Sequence, residues 1–269
     1  MTLCDTFKQL AVDTWDDILK GRNVSYQLKE ETLTDLNMLE LKTKHPTEIL
    51  TTVYNKRQEG SNGSDWEWWF NGISGRWIGF RVQAKIINIQ TEEFEHLHYR
   101  NPTTHIYQCD KLIQHALNGV PKIPLYCFFI QTNNAAHLSN WPCGTVPRQK
   151  DLYGCSLTSA FTVRHLRSGN RKHLSDIDPS LKPWHCLVCC NNYGKSDDIV
   201  ENIEAYAIQN FDLQNVGDFD VKLPEKFSTD DPPYYVRATT ENQKKRNFEP
   251  PDKDIDGLVV FTQKKSKKQ

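Results

Sequence analysis

The sequence predicts an α/β protein in which helices flank one mixed central sheet. Three observations support this fold class. Apolar residues recur at helical spacing near the N-terminus and again near residue 110. Two aromatic-rich runs, at residues 65–71 and 76–89, have the composition of paired strands. The almost wholly apolar segment 123–131, "IPLYCFFIQ", is typical of a strand buried inside a sheet.

The composition is that of a globular protein. A chain of 269 residues can bury a substantial core, as one elaborated domain or two small ones. Its net charge of -1 provides no overall attraction to nucleic acid or to an anionic membrane, so such binding would need a local patch. The N-terminal segment carries acids among its apolar residues, unlike a signal peptide, and no run of about 18 apolar residues occurs. We therefore expect a cytoplasmic protein without membrane contact, with its eight cysteines reduced.

Periodicity and turn residues predict the elements of the first half in order. They are a helix over 1–21 ended by Gly21, a helix over 30–44 with Glu30 and Glu31 in its first turn, a strand at 48–56, a polar loop at 57–64, two strands joined by "GISG", a helix over 105–119 ended by Gly119, and the buried strand. The core order is thus helix, three strands, helix, strand.

The second half of the sequence predicts a less regular set of helices and strands. These are a helix over 154–170 closed by Gly169, a buried strand at 183–191 and an amphipathic helix over 197–211. From Asp212 the chain becomes acidic and proline-containing, and it ends in the basic "QKKSKKQ". We divide it into a core domain of residues 1–211 and a C-terminal α+β extension of residues 212–269 with a flexible basic tail.

The predicted hairpin gathers polar side chains on one face. With the turn centred at Ser74, Asp65 lies opposite Gln83, and opposite residues of antiparallel strands point to the same side. Glu67 and Lys85 share that face because side chains alternate along a strand. A register shift of one residue would separate these groups.

Acids, an amide and an amine on one patch suit a hydrolytic metal site. Mg²⁺ takes oxygen ligands, here Asp65 with Glu67 or a backbone carbonyl. A bound metal activates water, and an ammonium such as Lys85 orients that water or stabilises the transition state of phosphoryl transfer. The competing interpretation is a solvated face with weak ion pairs.

Asp65 followed by "QAK" at 83–85, in this order of elements, resembles the PD-(D/E)xK nuclease superfamily. Its restriction-endonuclease-like fold has the core order αβββαβ, and a QxK form of the motif occurs in its Mrr-like branch. More narrowly, several segments are similar to a largely uncharacterised bacterial family assigned to that fold. They are "EETLTDLNMLELK", "GSDWEWWF", "RVQAK", "YQCDKLI", "PLYCFF" and "GCSLTSA", and the resemblance covers roughly residues 28 to 190.

The resemblance implies an endonuclease dependent on Mg²⁺ or Mn²⁺ that hydrolyses phosphodiester bonds of DNA in a bacterial anti-phage or restriction-like role, with RNA left open as a substrate. It implies that Asp65 binds metal, that Gln83 replaces the usual second acid of the metal site, and that Lys85 is the catalytic lysine. Glu30 or Glu31 would supply a carboxylate from the helix. Enzymes of this fold often act as dimers, so a homodimer or an activating partner protein is also open.

Several further residues are candidates beside this motif. Glu67 could restore the charge that is lost with Gln83, a suggestion from the strand period alone. Gln108 and Lys111 lie on the following helix, where members of the superfamily often add polar groups to the site, but the favoured interpretation is that they are ordinary exposed helix residues. No acid occurs between Leu152 and Ser175, and we interpret the basic residues there as phosphate contacts in preference to a solvated helix face. They are Arg164, Arg167, Arg171 and Lys172.

The cysteines near residue 190 suggest a zinc site or a buried strand. The "HCLVCC" segment offers His185, Cys186, Cys189 and Cys190, with Cys143 and Cys155 upstream, but only half of a zinc pattern is clear. A buried strand whose cysteines act as small hydrophobes is therefore favoured there.

Two functions other than hydrolysis are also open. The same fold could serve as a non-catalytic module that binds nucleic acid or a partner protein. A sheet with Trp66, Trp68 and Trp69 as stacking platforms could instead bind carbohydrate. Alternation along the strand counts against that third idea, because no more than two of the three rings can share a face.

Overall fold

The computed structural model describes residues 1–53, 65–134, 136–138, 140–191, 193–194, 196–213, 223–241 and 255–264. For Asp65 it describes the backbone and not the side chain. The predicted polar loop at 57–64 and the basic tail from residue 265 therefore lie outside the described residues.

The described part of the chain forms eight α-helices and eight β-strands. They are α1 (Leu3–Asn23), α2 (Glu30–Lys44), β1 (Ile49–Val53), β2 (Asp65–Asn71), β3 (Trp77–Ile86), α3 (Gln108–Leu117), β4 (Ile123–Phe129), β5 (Cys155–Ser159), α4 (Ala160–Arg167), α5 (Leu174–Ile177), β6 (Lys182–Pro183), α6 (Cys186–Cys189), α7 (Ile199–Asn210), β7 (Ser228–Thr229), α8 (Tyr234–Glu241) and β8 (Ile255–Thr262). Short 3₁₀ helices cover Lys150–Gly154 and Asp178–Ser180.

The strands form one mixed sheet in the order β1-β8-β2-β3-β4-β5-β6, and β7 pairs with β3. β2 and β3 form an antiparallel hairpin, whereas β3 and β4 are parallel and are connected through α3. A parallel pair needs a crossover of this kind. The α/β class, the mixed sheet and the element order helix, three strands, helix, strand are confirmed.

The C-terminal strand enters the middle of the sheet. β8 lies between β1 and β2, antiparallel to the first and parallel to the second. Its Leu258, Val259 and Val260 are fully buried. Residues 255–262 therefore complete the core sheet, and the predicted boundary at residue 212 does not separate an extension from it.

Two predicted segments have different structures. The predicted helix at 154–170 is split into β5 and α4, because the Ser159 hydroxyl accepts a hydrogen bond from the Phe161 N–H and starts the helix there. The predicted strand at 183–191 is mostly the short helix α6. This helix is buried on every side, and an apolar run of that length does not distinguish a helix from a strand.

The tryptophans of β2 pack over glycines of the neighbouring strands. Trp69 lies opposite Gly79 of β3, and a Cβ atom on that glycine would come within 2.7 Å of the indole. Trp66 lies opposite Gly257 of β8 with a corresponding 2.6 Å approach. These two residues and Trp68 are at most 4% exposed. The hypothesis that their rings bind carbohydrate is therefore wrong.

A disulfide joins Cys4 in the first turn of α1 to Cys189 in α6. The expectation that all eight cysteines are reduced is therefore wrong, and the other six are free and buried. The two residues are 185 positions apart in the chain, a separation that no local pattern reveals.

We expect reduction of this disulfide to lower the free energy of unfolding by about 2–4 kcal/mol, because the bond restricts the unfolded chain over a long loop. Urea unfolding with and without a reductant measures the change. A Cys4→Ser variant should be equally destabilised and should no longer respond to the reductant. A wild-type curve that the reductant does not move would contradict the prediction.

Among the described residues, no helix combines the length and the hydropathy that a bilayer crossing requires.

Candidate functional site

The hairpin has the predicted register. Asp65 pairs with Gln83 and Glu67 pairs with Arg81 across β2 and β3. On the other side of β2, the register with β8 shifts between Asp65 and Trp66. Irregularities of this kind are over-represented next to active sites, where they re-aim a side chain. The backbone of Asp65 thus lies beside Gln83, while the position of its carboxylate stays a prediction.

Gln83 and Lys85 are buried near the end of β3. Gln83 is 1% exposed, and its amide nitrogen lies 3.5 Å from the Ala84 carbonyl oxygen. Its Oε1 has no hydrogen-bond partner among the residues that the structure describes. A buried amide oxygen without a partner costs free energy, and binding of a cation is one way in which a protein offsets this cost.

Glu30 is the helix carboxylate that meets the lysine. Its Oε2 lies 3.6 Å from Lys85 Nζ, and its side chain is 26% exposed. Glu31, the alternative, is exposed. Glu30 is the first residue of α2, so the start of that helix delivers it to the end of β3.

Burial raises the pKa of the Glu30 carboxyl above its ordinary value, and the charge of Glu31 raises it further. Lys85 and His96 act in the opposite direction without cancelling the effect of burial. A raised pKa beside a buried ammonium is a feature of many functional sites.

Glu67 lies on the same strand face but has protein partners. Its Oε2 accepts hydrogen bonds from the Tyr235 hydroxyl at 2.6 Å and the Trp69 indole N–H at 3.1 Å. Its Oε1 is 3.5 Å from Lys122 Nζ and 3.9 Å from an Arg81 nitrogen. The carboxylate is 1% exposed. Buried charges are stable when they are paired in this way, so Glu67 has a structural role that needs no metal. Its assignment as a ligand stays a prediction.

The basic helix is partly neutralised by an acid of α3. Arg167 of α4 makes a 2.6 Å ion pair with Asp110, and Arg164 lies 3.5 Å from the other oxygen of that carboxylate. The Arg167 guanidinium also lies 4.1 Å from the centre of the Tyr107 ring. One aspartate is thus shared by two guanidiniums.

Arg171 and Lys172 follow the helix and do not extend its face, because α4 ends at Arg167. Arg171 is exposed, and Lys172 makes a 2.8 Å ion pair with Glu93. Arg164 and Arg167 therefore lie on the helix, and Arg171 lies beyond its end. Phosphate contact by these four residues stays a prediction, as does any part played by Gln108 and Lys111 in the first turn of α3.

Three oxygen-bearing residues lie near the end of β3. The Glu30 carboxylate is 3.6 Å from Lys85 Nζ, Gln83 is two positions from Lys85 on the same strand, and the backbone of Asp65 pairs with Gln83. Mg²⁺ and Mn²⁺ favour carboxylate and carbonyl oxygen ligands. Binding of a cation by these residues stays a prediction. No local sequence pattern indicates the partners of Glu67 outside the hairpin, because Lys122 and Tyr235 lie in distant parts of the chain.

Comparison with known proteins identifies a family and no characterised relative. No curated protein and no solved structure matches the chain. One family, described as a family of unknown function (DUF6615), matches residues 3–267, which is nearly the whole sequence. The chain therefore belongs to the DUF6615 family.

Proposed function

We propose that this protein is a metal-dependent nuclease that hydrolyses phosphodiester bonds of DNA. The observation that supports the proposal most directly is the Gln83 amide oxygen, which is buried without a partner among the described residues, two positions from Lys85 on the same strand. The resemblance to PD-(D/E)xK nucleases gives these same positions functional roles. We assign the chain to that superfamily as part of the proposal.

Each residue has a chemical task in this proposal. Lys85 holds a positive charge in a buried place, where it stabilises negative charge on a phosphoryl group more strongly than it would in water. Glu30 lies close enough to position that ammonium. Asp65 and Gln83 provide oxygen ligands, and a bound Mg²⁺ or Mn²⁺ supplies Lewis-acid activation of water.

The proposed substrate and setting follow from the resemblance and the basic residues. Arg164 and Arg167 of α4 lie together at Asp110, and guanidiniums are common ligands of a phosphate backbone. A restriction-like role against phage DNA would place the protein in the bacterial cytoplasm. Thiols are kept reduced in that compartment, so the Cys4–Cys189 disulfide would face reductants there.

The test is cleavage of supercoiled plasmid, linear duplex, single-stranded DNA and RNA, each with Mg²⁺, with Mn²⁺ and with a chelator. We expect the divalent metal to support cleavage of DNA, the chelator to stop it, and Asp65→Asn to abolish it. Glu31→Gln is the matched control, since this exposed acid lies beside Glu30 and should be dispensable. Cleavage that persists in the chelator or in Asp65→Asn would overturn the proposal.

A second candidate is a module that binds nucleic acid without cleaving it. One observation favours it: Gln83 removes a charge from the expected metal site, and Glu67 is already paired with Lys122 and Arg81. Metal binding would then be weaker than in a site with two acids. Retention of DNA on the protein without any cleavage, in every metal tested, would select this candidate.

The raised pKa of Glu30 gives the nuclease proposal a pH signature. A proton on this carboxyl removes the charge that positions Lys85 and that attracts a cation, so we expect metal affinity to rise with pH through the raised pKa. Calorimetric titration of Mn²⁺ over a pH series measures this dependence. The Glu30→Gln variant should bind Mn²⁺ more weakly, and its Mn²⁺ affinity should no longer depend on pH near the pKa of Glu30. An unchanged dependence on pH would rule out Glu30 as the titrating group.

A further inference from the structure

Three buried thiols converge at a point away from the hairpin. The sulfur atoms of Cys143, Cys186 and Cys190 all lie within 4.8 Å of one another. The Cys143 and Cys190 sulfurs are 3.3 Å apart, which is well beyond a disulfide bond of about 2.05 Å. Sulfur ligands of one tetrahedral zinc ion, each about 2.3 Å from the metal, are separated by about 3.8 Å. The three thiols thus have nearly the spacing of a zinc site.

A histidine adjoins the three sulfurs. His185 is fully buried, and its Nε2 lies 3.8 Å from the Cys186 sulfur. The 3.8 Å between Nε2 and the Cys186 sulfur is close to the separation of two ligands of one metal ion, which makes His185 the candidate for a fourth ligand. A set of three cysteines and one histidine is a common ligand set of structural zinc sites.

The ligands come from two parts of the chain that lack long regular elements. Cys143 belongs to the segment between β4 and the 3₁₀ helix at Lys150–Gly154, whereas Cys186 and Cys190 are four residues apart at α6. The Thr145 hydroxyl already donates to the Cys189 carbonyl and so links these two parts. A metal ion here would fasten the segment after β4 onto α6.

We propose that Cys143, Cys186, Cys190 and His185 bind one zinc ion with a structural role. The sequence pattern offered Cys186 and Cys189 as half of a site. The structure instead commits Cys189 to the disulfide with Cys4 and brings Cys190 and Cys143 to Cys186. This site is independent of the proposed nuclease centre.

The test is to purify the full chain with a non-chelating reductant and to measure its metal content by elemental mass spectrometry. We expect about one zinc ion per chain. Cys143→Ser and Cys190→Ser should lose nearly all of it. Cys127→Ser is the matched control, because Cys127 is a buried free thiol of β4 outside the cluster, and this variant should keep its zinc. Cys4→Ser, which opens the disulfide, should also keep it.

A second measurement uses unaltered protein, in case the serine variants do not fold. Cobalt exchanged into the wild-type chain should give the intense thiolate-to-cobalt absorption of a tetrahedral thiolate site, and added zinc should remove it. Wild-type protein that carries no zinc and binds no cobalt would overturn the proposal. So would a Cys143–Cys190 disulfide found by mass spectrometry without reductant, or loss of zinc from Cys127→Ser.

Discussion

Replacing Lys85 by methionine is expected to lower the rate of metal-dependent DNA cleavage by about 10²–10³-fold, the range found when one preorganised electrostatic donor is removed. The reason is the position of the ammonium. Lys85 is 4% exposed, and its described ion-pair partner is Glu30 at 3.6 Å, so its charge acts in a dry environment at the end of β3. Methionine keeps the length and the apolar stem of the side chain and removes the charge.

The matched control is Lys122→Met, which removes the other buried lysine ammonium paired with a glutamate. Lys122 pairs with Glu67 and not with Glu30. If Glu67 serves only its protein partners, the loss of Lys122 should change stability and leave cleavage by the folded protein within a few-fold of wild type. Single-turnover cleavage and thermal unfolding are measured on both variants. Equal cleavage losses in the two variants would assign Lys85 a structural role, and undiminished cleavage by Lys85→Met would contradict the catalytic role proposed for Lys85.

The register of the hairpin could be predicted because it depends on local information. The "GISG" turn fixes the midpoint, and alternation along β2 and β3 then fixes which residues face each other. The choice between Glu30 and Glu31 could not be made in this way. Both lie in the first turn of α2, and which one reaches Lys85 depends on how the helix is placed against the end of β3.

Non-local pairings account for most of the differences from the sequence prediction. β8 inserts between β1 and β2 although a long stretch of chain separates it from both, and no local pattern specifies its neighbours. The same applies to the Cys4–Cys189 disulfide and to the meeting of Cys143 with Cys190. The apolar composition of α6 correctly predicts that the segment is buried. A fully buried segment has no polar face, so its sequence shows neither the helical nor the strand periodicity.

Removal of the Glu67 carboxylate is expected to be the most damaging single change to stability in the hairpin. Glu67→Ala would leave the Arg81 and Lys122 charges buried, and breaking a buried pair by deleting one partner costs about 3–5 kcal/mol. The Tyr235 hydroxyl and the Trp69 indole N–H would lose their acceptor as well. Urea unfolding measures the loss. Glu31→Ala, which truncates an exposed acid, should stay within about 0.5 kcal/mol of wild type.

A milder substitution separates this structural role from metal binding. Glu67→Gln keeps the shape of the side chain and an acceptor oxygen for Tyr235 while it removes the charge. If Glu67 serves only its protein partners, the folded variant should bind Mn²⁺ with wild-type affinity despite reduced stability. A large loss of Mn²⁺ affinity in protein that is still fully folded would show that Glu67 supplies the charge missing at Gln83. The proposed metal site would then extend to this carboxylate in spite of its pairing with Lys122 and Arg81.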